Sequence, residues 1–203
     1  MKQTDWTIRN IIFDLGGVLL HINPDLSIKA FREMGMPDLI KPGGWGYEHE
    51  VFLQMEQGRI SDQAFRDGIR NLLPIHAPDR EIDQAWCAMI LDFRAEKIRL
   101  LHQLRSTYRL FLFSNTNAIH VNHFRDLFLK EFGYPIDDLF DKVYYSNRMG
   151  VRKPKLQAFQ HVLNDAGLNA NETLFIDDSE ENVQGARQTG MQAIHLFSSL
   201  FFR

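Results

Sequence analysis

The 203-residue sequence is poor in several features that would fix a protein's setting at once. It has a single cysteine, Cys87, so no disulfide can form within the chain. That residue lies in Ala85-Trp86-Cys87-Ala88-Met89 and reads as a buried small apolar side chain rather than a reactive thiol. No segment approaches the ~20 apolar residues of a membrane span. Met1 to Asn10 lacks the apolar core of a signal peptide, so the expected setting is cytoplasmic, with no membrane partner. Basic runs are also missing. With 23 basic and 26 acidic residues the net charge is -3, and nucleic acid is not an expected partner. The eight histidines show no metal-ligand spacing, and His120 with His123 reads as one solvated or half-buried helix face.

What is present is ordinary globular material. The hydrophobic fraction of 44% offers enough apolar surface to offset chain entropy, which argues against long disorder. The length fits one compact domain with a sizeable insertion. Apolar runs at Ile8 to Leu15, Tyr108 to Phe113, Lys142 to Tyr145, Thr173 to Ile176 and Gln192 to Phe197 read as buried strands. Helical patterns alternate with them at Glu96 to Arg105, Ile119 to Phe132, Lys155 to Ala166 and Glu180 to Gln188. This alternation predicts an α/β fold, a three-layer Rossmann-like parallel sheet.

Residues 20–94 read differently, as helices and loops throughout. Leu26 to Met34, Glu48 to Gln57, Asp62 to Leu73 (with Ser61 as N-cap) and Asp79 to Leu91 read as helices. Gly43-Gly44-Trp45-Gly46 reads as a break, and Trp45 and Trp86 as packing residues. The expectation is an inserted helical cap domain at 20–94, with the core formed by 1–19 and 95–203. The end of the chain, Leu196 to Phe202, reads as docked on the body; exposed, it would mark a dimer contact. A monomer or weak homodimer is expected.

Chemistry gathers at the strand ends. Asp14, Ser114-Asn115 and Asp177-Asp178 each close an apolar run, and Arg152-Lys153-Pro154 precedes a helix. Ligands of open parallel sheets bind beyond the carboxyl ends of the strands, so these clusters converge on one edge. Three aspartates brought together repel, and a hard divalent cation such as magnesium relieves that repulsion. Ser114 and Asn115 are hydrogen-bonding groups for a phosphate, helped by the N-terminus of the helix that follows. Lys153 adds positive charge for a phosphoryl oxygen. Together these residues make a phosphoryl-transfer site.

Four segments also resemble the haloacid dehalogenase-like hydrolases. They are Ile11-Ile12-Phe13-Asp14-Leu15-Gly16-Gly17-Val18-Leu19, Phe113-Ser114-Asn115-Thr116, Lys153-Pro154, and Phe175-Ile176-Asp177-Asp178-Ser179 through Asn182 with Gly185-Ala186. Their wording is similar to bacterial sugar-phosphate phosphatases, including those acting on alpha-D-glucose 1-phosphate, and to the phosphatase domain of soluble epoxide hydrolase. The resemblance implies a Mg2+-dependent phosphatase with a helical cap, acting on a small phosphorylated metabolite. Asp14 would be the nucleophile, forming an aspartyl-phosphate, and a metal ligand. Gly16 would offer its carbonyl to the metal, Asp178 would ligate directly, and Asp177 would ligate through water or orient the site. Ser114, Asn115 and Lys153 would hold the phosphate, and Asn182 would support the metal's surroundings.

One position departs from the family pattern. Where phosphatases of this kind usually carry a second aspartate, the general acid, this chain has Gly16. Either the substrate has a good leaving group, or a residue of the insertion supplies the proton, with His21, His49 and Glu50 as candidates. Two other functions share features of this pattern: a 2-haloacid dehalogenase, and a non-catalytic protein that binds a phosphorylated metabolite. The tyrosine usual near Gly16 in the dehalogenases is missing, and the Asp177-Asp178 pair favours a metal. Binding alone has no need of a nucleophile.

Overall fold

Asn10-Ile11-Ile12-Phe13 is buried along its whole length, which only a strand covered on both faces allows. The computed structural model describes residues 7–36 and 49–196. In chain order its elements are β1 (Asn10–Phe13), β2 (Leu20–Ile22), α1 (Pro24–Glu33), α2 (Glu50–Glu56), α3 (Asp62–Arg70), α4 (Asp79–Cys87), β3 (Ile90–Phe93), α5 (Ala95–Leu104), β4 (Arg109–Ser114), α6 (Ala118–Phe132), β5 (Lys142–Tyr145), α7 (Ser146–Met149), α8 (Leu156–Asp165), β6 (Thr173–Asp177), α9 (Glu180–Arg187) and β7 (Gln192–His195).

Five strands form one parallel sheet in the order β5-β4-β1-β6-β7. Alternate residues of β1 point to opposite faces, and each face has its own core. Ile11 and Phe13 join Ile98 and Leu101 of α5 and Val121, Phe124 and Phe128 of α6. Ile12 joins Phe159 and Val162 of α8 and Ala186 of α9. Each large side chain so buried contributes about 1.5–3 kcal/mol, which makes the three layers one cooperative unit. The chain runs outward from β1 through β4 and β5, then returns to the other side of β1 for β6 and β7. That reversal sets the loops after β1 and β6 side by side at the carboxyl ends, where open parallel sheets bind ligands.

Helices α1 to α4 enclose a separate apolar cluster that includes Phe31, Phe52, Phe65, Ile82 and Trp86. Ser61 caps α3 as its sequence suggests, accepting from the Ala64 N–H at 3.1 Å. Cys87 is buried in the same cluster, where burial pushes its thiol up to about 12.

This region is not wholly helical and looped. β2 and β3 pair as an antiparallel ribbon, Leu20 against Phe93 and Ile22 against Ile90, through which the chain leaves and re-enters the sheet layer. The ribbon escaped the sequence because three residues are too few to establish a period of two. In addition, Ile90-Leu91-Asp92-Phe93 prolongs the apolar spacing of α4, which ends at Cys87 rather than Leu91. His120 is likewise buried rather than solvated. Its ring stacks on Trp86 at 4.4 Å and its Nε2 lies 3.0 Å from the Trp86 carbonyl oxygen. Leu196 is buried in the core beside the sheet. The Gly43 to Gly46 break with Trp45, and the chain from 197 on, lie outside the described residues. Among the described residues no helix is long and apolar enough to cross a membrane.

Candidate active site

Asp14 follows β1 directly, and its N–H donates to the Ile176 carbonyl at 2.9 Å, carrying the sheet register one residue past the strand. Ser114 and Asp177 are the last residues of β4 and β6, and Asp178 follows Asp177. Because β1 is flanked by β4 and β6, the sheet order brings these three strand ends side by side. Ligand oxygens of Asp14, Asp177 and Asp178 all lie within 4.8 Å of one another. Three hard oxygen donors at that spacing match the ligand chemistry of a divalent cation such as Mg2+.

Lys153 arrives from the segment between α7 and α8 and is 1% exposed. Its Nζ donates to Asp14 Oδ1 at 2.7 Å and to Asp177 Oδ2 at 2.6 Å. The same ammonium lies 5.2 Å from the Phe113 ring centroid and 5.3 Å from that of Phe175, within reach of cation–π attraction. Asn115 grips the lysine's backbone from both sides, accepting from its N–H and donating to its carbonyl, each at 3.0 Å. The Asn115 side chain thus holds Lys153 in place, while Ser114 sits buried at the strand end beside it.

Asp177 is saturated. Besides Lys153, it accepts from the Ser179 N–H at 2.8 Å and from Asn182 Nδ2 at 3.0 and 3.1 Å. It is fully buried and orients the lysine, and Asn182 orients Asp177 in turn. Asp178 is half-buried, and its approach depends on Gly17. Gly17 has φ of 75°, and a Cβ there would stand 2.0 Å from Asp178 Oδ2. Glycine is required both for the turn and for the carboxylate beside it.

Burial pushes Asp14 up to about 7; Lys153 opposes the shift, while Asp177 and Asp178 add to it. Burial likewise raises Asp178, again with Asp177 adding. For Lys153 burial acts to lower the pKa, but Asp14 and Asp177 outweigh it and hold the ammonium above its ordinary value. The site therefore sets one firm positive charge beside Asp14 and Asp178, whose carboxyls ionise reluctantly.

Ile22 stands against the Gly16 position. A Cβ at Gly16 would meet Ile22 Cδ1 at 3.0 Å, so apolar carbon occupies the space beside it. None of the three proton candidates is turned to this chemistry. His21 Nδ1 is 3.5 Å from Asp92 Oδ2 on the exposed part of the ribbon. His49 caps α2, its Nδ1 accepting from the Val51 N–H. Glu50 accepts from Gln54 Nε2 at 3.1 Å on the outer face of α2.

Comparison with known proteins agrees with this geometry. Residues 8–190 match the haloacid dehalogenase-like hydrolase family, and the chain belongs to it. It is 29% identical over 185 residues to a D-ribitol-5-phosphate phosphatase of Bacteroides thetaiotaomicron, covering 91% of this chain and 90% of that protein. A crystal structure of a wild-type HAD family enzyme of the same organism, in complex with magnesium and inorganic phosphate, is similar with a TM-score of 0.83 and 34% identity, over 97% of this chain and 100% of that one. A HAD-like family hydrolase of Porphyromonas gingivalis is 37% identical with a TM-score of 0.83, over 93% of this chain and 90% of that one.

Proposed function

We propose that this protein hydrolyses the phosphate monoester of a small phosphorylated metabolite, a sugar or polyol phosphate, in a Mg2+-dependent reaction with Asp14 as nucleophile. The observation that carries this reading is the buried Asp14–Lys153–Asp177 arrangement with Asp178 alongside. A carboxylate held by a lysine among further carboxylates is suited to attack a phosphoryl group, and it leaves a dehalogenase without use for the Asp177-Asp178 pair. The similar proteins point the same way, one named for a polyol phosphate and one binding magnesium and phosphate.

Asp14, Asp178 and the Gly16 carbonyl would hold Mg2+, with Asp177 orienting the set. The ion would supply charge that lets Asp14 ionise and that offsets the phosphoryl oxygens. Lys153 keeps Asp14 aimed and faces a phosphoryl oxygen, while Ser114 and the backbone at the start of α6 hold the others. An Asp14 oxygen bonds to phosphorus as the bond to the ester oxygen breaks, and that oxygen leaves with the electron pair and takes a proton from water, giving an aspartyl-phosphate and the free alcohol. Water then attacks that phosphorus, releasing inorganic phosphate and regenerating Asp14. The described residues of the 20–94 insertion would act as a cap over this edge.

The test is phosphate release from a panel of sugar, polyol and acyl phosphates with Mg2+ or EDTA, beside chloride release from 2-chloroacids. Release that needs Mg2+ is expected, and Asp14→Asn should lower it by at least about 10³-fold with the fold intact. Full activity of that variant would sink the mechanism. Metal-independent chloride release would make the protein a dehalogenase.

A further inference from the structure

Asp177 and Asp178 are neighbours in the chain, yet they are held in different ways. The Asp177 carboxylate is fixed by Lys153, Asn182 and the Ser179 N–H. Among the described residues, no side chain donates a hydrogen bond to the Asp178 carboxylate. His195, the last residue of β7, reaches the Asp178 backbone instead. Its Nε2 lies 2.9 Å from the Asp178 carbonyl oxygen, and since a carbonyl only accepts, the ring nitrogen donates. Its Nδ1 stands 2.9 Å from Glu180 Oε2. Both ring nitrogens are engaged, so His195 is not itself free to ligate a metal.

The ring belongs to a bracket around the loop after β6. Asp177 pairs with His195 in the sheet register, and the Leu196 N–H donates to the Asp177 carbonyl at 2.9 Å. The carbonyls of Asp177 and Asp178 are thus both fixed from the end of β7. Arg187 ties α9 to the same strand: its Nη1 lies 3.7 Å from Glu180 Oε1, and its Nη2 donates to the Ala193 carbonyl at 2.9 Å. The His195 side chain is 19% exposed, so water competes poorly for its hydrogen bonds.

A carboxylate that no donor orients takes its direction from its own backbone. Turning of the Asp178–Ser179 peptide would swing the Asp178 carbonyl away from His195, and the hydrogen bond opposes that motion. Gly17 leaves the room that the carboxylate occupies, since a Cβ there would stand 2.0 Å from its Oδ2. Magnesium demands near-ideal octahedral geometry, so a misdirected ligand costs affinity. We infer that His195 is a positioning residue for Asp178: its bond to the Asp178 carbonyl sets the direction from which that carboxylate meets Mg2+, with Glu180 orienting the ring. The inference rests on the reading of Asp178 as a metal ligand in the phosphatase proposed above.

The test is calorimetric titration of the EDTA-treated, desalted protein with Mg2+, beside the Mg2+ concentration that gives half-maximal phosphate release. His195→Leu removes the donor, His195→Gln presents an amide N–H at similar reach, and Glu180→Ala leaves the ring without its guide. His195→Leu should raise the Mg2+ dissociation constant about tenfold and the half-maximal concentration equally, with kcat at saturating Mg2+ within about threefold of the wild type. His195→Gln should recover most of that affinity, and Glu180→Ala should lose about threefold. A merely structural role would lower the melting temperature in EDTA and leave the dissociation constant alone. That result overturns the proposal, as does a glutamine variant no better than the leucine one. If His195→Leu does not fold, Glu180→Ala decides, and an unchanged dissociation constant there overturns the proposal. A wild type that binds Mg2+ but releases phosphate from no compound ends the phosphatase reading alone, and the calorimetric comparison still judges His195. A wild type that binds no Mg2+ overturns both.

Discussion

The carboxyl edge of the sheet and the seam beneath α2 are both buried and both polar, yet they are built on opposite terms. At the edge, Lys153 is matched by two carboxylates, and Asp177 is gripped by Lys153, Asn182 and the Ser179 N–H. At the seam, Gln57, Asn117 and Asn147 each present a buried atom with no partner among the described residues. The difference separates two tasks. A reacting group must be aimed before the substrate arrives, since aiming it afterwards would cost rate. A packing seam that takes no part in a reaction need not aim its groups, so an unpaired atom there costs stability rather than rate. The edge is therefore fixed by its own contacts, while the seam keeps single buried polar atoms unpaired among the described residues.

The strongest way to break this contrast is to open the closed side. Lys153→Ala leaves Asp14 and Asp177 facing each other without the ammonium. Activity should fall by about 10²–10³-fold, and a loss under about threefold would contradict the role given to Lys153. The same variant should lose about 3–5 kcal/mol of stability in urea denaturation, because it strands buried carboxylates. Mg2+ should recover part of that loss.

A smaller effect is expected at Gly17. Gly17→Ala places a methyl group against Asp178 in a backbone conformation that alanine disfavours. Asp178 must shift, and the Mg2+ dissociation constant from calorimetric titration should rise by about 10–100-fold. Undisturbed metal affinity would mean that Asp178 does not hold the ion.

The smallest effect concerns pH. Burial holds Asp14 near 7, above its ordinary 3.8. A carboxyl raised in the folded state contributes stability that is full below the unfolded value and is lost as pH rises through the folded one. In EDTA the protein should therefore melt at a lower temperature at pH 7.5 than at pH 5. Asp14→Asn should flatten part of that slope, as should added Mg2+, and an identical slope in the variant would show that Asp14 is not the group responsible.

Much of this was legible in the chain itself, for particular reasons. Lys142 to Tyr145 was readable to the residue, because an apolar run between polar turns is a local pattern. Asp14, Ser114, Asn115, Asp177 and Asp178 were readable because each ends or follows a strand, and strand ends of a parallel sheet share one edge. The β2–β3 ribbon was hidden by its shortness and by the helix running into it. Asn115 was visible as a polar residue at the site, but not as the clamp on the Lys153 backbone, a contact across 38 positions. The proton candidates His21, His49 and Glu50 suited the chemistry, yet they turn instead to Asp92, the α2 backbone and Gln54.

The sequence by itself determined the alternation of strand and helix, the parallel sheet and the family, and it singled out the candidate site residues. All of these follow from periodicity and order along the chain, which are local quantities. Only the tertiary structure decided which polar atoms are satisfied and which are not. Asn115 closes on Lys153, Ser146 reaches the Glu56 carbonyl across 90 positions, and one buried side-chain atom each of Gln57, Asn117 and Asn147 has no partner among the described residues. Satisfaction of a buried polar atom depends on packing between segments far apart in the chain, and no local pattern records it.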